Sequence, residues 1–174
     1  MIEYRSFLNT DSPWIVDIWR QQPAFRGQIS NINRTLLDHQ VFGKPYFDSR
    51  GLIMAVLQED NRTTPLGFVH AGFAANSELS DLHHGTGVVS VLKVVPGERQ
   101  EEIADQLLDR ALQYLGEAGA TRVHFGSHFP FAPFYMGLYG GSQIPGLLVD
   151  DKLAVSAAQR RGFEVDDKII VMER

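Results

Sequence analysis

Apolar and polar positions alternate from Ile2 to Phe7, the period of a strand with one covered face. Asp11-Ser12-Pro13 follows, a helix cap with proline just inside, and the predicted helix runs through Trp14, Ile15, Ile18 and Trp19. A second helix is predicted over Ser30 to Phe42, between Gly27 and the breaker Gly43-Lys44-Pro45. Gly51 to Gln58 and Leu66 to Phe73 are β-prone apolar runs, and the polar segment Glu59 to Pro65 between them suits a hairpin. Asn76 to Gly87 reads as polar loop.

Val88 to Val95 is apolar on both parities, so it predicts a strand covered on both faces at the centre of a sheet, ended by Pro96. From Glu98 to Ala118, the residues Ile103, Leu107, Leu108, Ala111, Leu112 and Leu115 recur at helical spacing. Gly119 closes that helix and Thr121 to Phe125 forms the next strand, which predicts a parallel strand–helix–strand unit with a right-handed crossover. Phe129 to Gly146 is an aromatic loop rich in Gly and Pro. Leu153 to Arg160 predicts a last helix, and Gly162-Phe163 leads to a terminal strand through Ile169, Ile170 and Val171. The pattern is that of a single α/β domain over residues 1–174.

Composition narrows the chemistry. The 174 residues include no cysteine, which excludes disulfides, thiolate metal sites, iron–sulfur clusters and an acyl-enzyme thioester. Sixteen basic against 21 acidic side chains give a net charge of −5 with no basic stripe, so no nucleic-acid partner is expected. The longest apolar runs are far short of a membrane span, and Glu3 interrupts the N-terminus, so no membrane partner and a cytoplasmic location are expected.

The informative stretch is Val91 to Ala104, where a buried strand stops and a helix begins within a few residues. Unpaired N–H groups and the positive helix end then converge on one point, a geometry that suits a pyrophosphate. Here the chain resembles the GNAT superfamily of N-acetyltransferases, whose pattern is V-x-P, then Q/R-x-x-G-x-G/A opening a helix that continues into L-L. Val94, Pro96, Arg99, Ile103, Ala104, Leu107 and Leu108 fall in register, and Ala154, Gly162 and Phe163 match a second family segment downstream. The resemblance implies a GNAT-type acyl-CoA N-acyltransferase fold: a mixed twisted sheet with helices on both faces, split between its fourth and fifth strands. It also implies acetyl-CoA as co-substrate, held along the backbone of Leu92, Lys93 and Val94, with Arg99, Gln100, Glu101, Glu102, Ile103 and Ala104 as the pyrophosphate loop. The acceptor amine, on a small molecule or a peptide, would attack the thioester directly while backbone N–H groups stabilise the oxyanion.

Two positions depart from the family pattern. Glu102 replaces the first glycine of the phosphate loop, adding bulk and like charge, although Glu98, Glu101 and Glu102 also complement the helix dipole by about 0.3–1 kcal/mol each. Ala158 stands where many members carry the tyrosine that protonates the departing thiolate. Tyr135 or Tyr139 in the aromatic loop could substitute, with Tyr139 the candidate acid; equally, these rings could fill a hydrophobic wall. His128 is the candidate base, with His84 as the other choice, because a histidine near neutral pKa suits proton removal from an amine. No metal site is expected, since four residues of extended strand between His124 and His128 would span about 13 Å. Gly140 to Ile144 fails as a nucleophile elbow and Gly43-Lys44 fails as a P-loop, each by a missing glycine.

The expected function is therefore acetyl transfer from acetyl-CoA to an amine. The competing expectation is a non-catalytic GNAT-fold domain that binds acyl-CoA or a partner, motivated by Glu102 and Ala158. A third is one half of a tandem acetyltransferase, or a homodimer whose partner completes the sheet, because the chain stops soon after Gly162-Phe163.

Overall fold

A computed structural model describes residues 1–60, 62–76, 78, 80–136, 138 and 144–170. Five strands form one sheet in the order β1 (Ile2–Ser6), β2 (Leu52–Glu59), β3 (Arg62–Ala75), β4 (Leu82–Val94) and β5 (Arg122–Phe125). The first three junctions are antiparallel and β4 pairs with β5 in parallel. Helices α1 (Ser12–Arg20) and α2 (Arg34–Leu37) precede β2, α3 (Gln100–Glu117) joins β4 to β5, and α4 (Lys152–Arg160) follows. No helix among the described residues is long and apolar enough to cross a membrane.

Strand alternation sorts the core into two layers. Leu52, Met54, Val56, Phe68 and Val91 face α1, while Ile53, Ala55, Val69, Leu92 and Val94 face α3. The apolar stripe read from the sequence is the buried face of α3, with Leu107, Leu108 and Leu115 fully enclosed. Each such side chain contributes roughly 1.5–3 kcal/mol by leaving water. Across the helix pair, Arg160 and Arg161 both bond Asp105, and Arg161 also reaches Asp109 at 2.8 Å, fixing α4 on α3.

Several elements differ from expectation. Asp11 does not cap α1 through its side chain; its buried carboxylate accepts from Arg5 at 2.6 and 2.9 Å and from the Leu8 N–H at 2.8 Å. That stronger use ties the end of β1 to the helix entry. The second helix starts at Arg34, not Ser30, because Asn33 accepts the Leu36 N–H at 3.0 Å and makes the cap. It continues past Leu37 as a π-turn over Asp38–Phe42. β3 and β4 reach into segments read as polar hairpin and loop, since cross-strand pairing outweighs composition there. Residues 163–170 form no strand, and Val171 lies outside the described residues. In the aromatic loop, Phe134 and Tyr135 are buried wall residues in the α1-side core.

Candidate active site

A cleft opens where β4 outruns β5. Their pairing extends from Thr86 opposite Arg122 to Val89 opposite Phe125, and the Gly126 N–H closes it on the Val89 carbonyl at 2.9 Å. Opposite β3 the register shifts so that His70 faces Val91 and Ala71 faces Val89, leaving Ser90 as the extra residue of a β-bulge. Gly126, at φ +94°, turns the chain away, and an added Cβ would strike the Leu147 backbone. Ser127 O accepts the Gly146 N–H at 2.9 Å, so this loop closes over the end of β5. The cleft left behind is bordered by Ser90, Leu92, Lys93, Gly126, Gly146 and Asp151.

Backbone parity sets what the cleft edge offers. Val95 donates to Leu66 O at 2.7 Å across β3, so alternation turns the N–H groups of Leu92 and Val94 toward the cleft, while those of Lys93 serve the ladder. Gln22 Nε2 caps the Val94 carbonyl at 3.1 Å. Ser90 Oγ and Ser127 Oγ are buried without a hydrogen-bond partner among the described residues. Groups of this kind cost about 1–3 kcal/mol when left unsatisfied, and Ser90 Oγ is the one of the two whose residue lines the cleft.

Lys93 supplies the cleft's charge. Its side chain, 4% exposed, lies on the α1 side with Nζ 2.6 Å from Asp151 Oδ2 and 3.4 Å from Gln28 Oε1. The ammonium also sits 4.8 Å from the Phe25 ring and 5.8 Å from the Trp19 ring. Asp151 accepts the Ala154 N–H at 3.3 Å with its other oxygen, capping α4. One buried ion pair thus joins β4 to the start of α4 across the cleft.

At the far end of β4, the chain turns through Pro96 and Gly97 into α3. The Gln100 N–H is used by Gly97 O and the Ile103 N–H by Arg99 O, leaving those of Glu101 and Glu102 as the remaining first-turn donors among the described residues. The side chains of Ile103 and Ala104 are buried in the core, so neither offers a side chain to a ligand. Glu102 turns back onto Arg99, accepting at 2.9 and 2.8 Å in an exposed bidentate pair. The Arg99 hydrogen bond holds the Glu102 carboxyl below its ordinary range. Glu101 reaches toward Arg160 Nη1 at 3.6 Å.

The cleft gathers Leu92 and Lys93 at one side, and β4 runs on through Val94 to the α3 turn carrying Arg99, Gln100, Glu101 and Glu102. The expected base is not brought there. His128 is absent from the cleft lining and packs with His124 instead, because Gly126 turns the chain outward immediately after β5. Tyr139 lies outside the described residues. Tyr135 is buried against His70, with its hydroxyl 3.0 Å from Nδ1. His84 packs at a tilt against Phe73, with centroids 4.7 Å apart, near the other end of β4, where it lines a separate pocket. The side-chain roles of Lys93 and Asp151 were missed, though both left a signal. A lone lysine in an otherwise apolar central strand requires a counter-ion, and aspartate just before a helix is its cap.

No family model and no curated protein matches the chain. Solved structures do match over its full length. An aminoglycoside 6'-N-acetyltransferase from Acinetobacter haemolyticus is 12% identical with TM-score 0.58, the match covering 99% of this chain and 97% of that one. A predicted acetyltransferase with acetyl-CoA from Clostridium acetobutylicum is 16% identical with TM-score 0.58, covering 99% and 96%. An aminoglycoside N-acetyltransferase in complex with CoA is 14% identical with TM-score 0.51, covering 100% and 95%. At such identities the likeness is one of fold: the chain has the mixed α/β architecture of the GNAT acyl-CoA N-acyltransferases.

Proposed function

We propose that this protein is an N-acetyltransferase that moves an acetyl group from acetyl-CoA directly to the amine of a small molecule or peptide. The observation that carries the reading is the free edge of β4, which starts at the Ser90 bulge and runs into the N-terminal turn of α3. An extended chain ending in a pyrophosphate fits that track: the Leu92 and Val94 N–H groups would hold the amide-bearing arm, and the Glu101 and Glu102 N–H groups with Arg99 the diphosphate. The solved neighbours that carry acetyl-CoA or CoA support the same co-substrate. Bound acetyl-CoA supplies an activated thioester. The protein's part is to orient it along β4, shield it within the cleft and offer N–H donors where negative charge develops. With no cysteine in the chain, transfer needs no acyl-enzyme.

The Arg99–Glu102 pair favours a second reading, a domain that binds acyl-CoA weakly and does not turn it over, because Glu102 occupies the guanidinium a diphosphate would use. Calorimetric titration with acetyl-CoA, paired with thiol release from an amine panel, separates the two. Every free thiol in that assay comes from CoA, since the protein has none. The intact protein binds and releases thiol, and Glu102→Ala binds about two- to fivefold tighter because the exposed Glu102 carboxylate no longer competes for Arg99. Binding without thiol release selects the second reading. Absence of binding by both forms refutes both.

A further inference from the structure

We propose that His124 and His128 form a two-imidazole site for a divalent transition metal of the zinc or nickel class, separate from the cleft. The expected separation of about 13 Å assumed an extended chain, and the chain is not extended. β5 ends at Phe125, Gly126 takes φ +94°, and the fold-back brings His124 Nδ1 to 3.3 Å from His128 Nε2 with the rings at 84°. Two nitrogens each about 2.0–2.1 Å from a tetrahedral zinc ion lie about 3.3–3.4 Å apart, so the pair already has the spacing of adjacent ligands.

The surroundings of His128 suit ligation through Nε2. His128 Nδ1 lies 3.2 Å from Phe129 O, which places the proton on Nδ1 and directs the Nε2 lone pair at His124. A backbone carbonyl on the outer nitrogen is the contact by which ligating histidines are oriented. His124 is held flat against Phe131, with centroids 5.0 Å apart and planes at 17°, which fixes its ring plane beside His128. Burial and the adjacent His128, with Arg122, lower its pKa against an opposing pull from Asp166, keeping the imidazole neutral as a ligand must be. Among the described residues no third imidazole or carboxylate completes the set. Water would fill the other positions, and the bound metal would be exchangeable rather than structural.

The test titrates Zn²⁺ and Ni²⁺ into untagged full-length protein, with Mg²⁺ as the hard-cation control. One equivalent of Zn²⁺ or Ni²⁺ is expected to bind saturably, Mg²⁺ not at all. His124→Ala or His128→Gln weakens binding by at least about tenfold, whereas His84→Ala leaves it unchanged. In the unaltered protein, zinc should shift the ring ¹⁵N resonances of two histidines together, a readout that does not depend on how well any variant folds. Absence of a saturable equivalent, or equal loss in His84→Ala, would overturn the site.

Discussion

Replacing Lys93 with methionine is expected to lower the free energy of unfolding by about 3–5 kcal/mol, the largest single effect of any side-chain change at the cleft. The reason is what remains. Asp151 is 11% exposed and its Oδ2 depends on the Lys93 ammonium at 2.6 Å, so the variant strands a buried carboxylate. Asp151→Asn strands the ammonium instead while keeping an oxygen to cap the Ala154 N–H. The double variant Lys93→Met/Asp151→Asn buries no charge and should recover much of the loss, because replacing a whole buried pair is often nearly neutral. Urea unfolding of the four proteins completes the cycle. Single variants that each cost under about 1 kcal/mol and add independently would mean that the pair behaves as an exposed one.

The second large effect is acid lability from His70. Its ring is fully enclosed beside Phe134 at 4.3 Å and Phe47 at 5.7 Å, and Nε2 has no partner among the described residues. Burial pushes its pKa down to about 3, with Asp48 opposing only weakly, so the folded protein holds a neutral imidazole. In the unfolded chain the same group protonates near 6.5. The unfolded state therefore binds more protons between about pH 6.5 and 3. The stability from His70 is fully present above pH 6.5 and falls by up to about 1.4 kcal/mol per pH unit on acidification. Summed over that range, the loss is of order 5 kcal/mol. Between pH 6.5 and 5 most carboxylates do not yet titrate, so the slope of unfolding free energy against pH in His70→Gln should be shallower by one proton than in the parent. Identical slopes would show that His70 is charged in the fold, or is exposed enough to titrate normally.

Much of the fold was legible because it rests on short-range regularities. The α3 stripe from Ile103 to Leu115, the two-faced apolar run of β4 and the order of elements each follow from periodicity within one segment. Where local rules compete, the reading slipped. The second helix, expected from Ser30, is capped by Asn33 instead, and only the fold shows it. Asp11 had two uses, and Arg5 took it. Strand ends at Arg62 and Leu82 depend on a partner strand that sequence spacing does not specify.

For the candidate site the division is sharper. The sequence by itself determined a buried strand passing straight into a helix at Val94 to Gln100, with the backbone donors this junction must expose, because both follow from covalent connectivity. It also determined that any acyl transfer proceeds without a cysteine. The tertiary structure alone decided which side chains meet across long separations: Lys93 with Asp151, Tyr135 with His70, and the loop at Gly146 with Ser127. It also decided that His128 leaves the cleft to meet His124. A single left-handed residue, Gly126, reverses the chain there, and no spacing rule for extended backbone carries through such a turn.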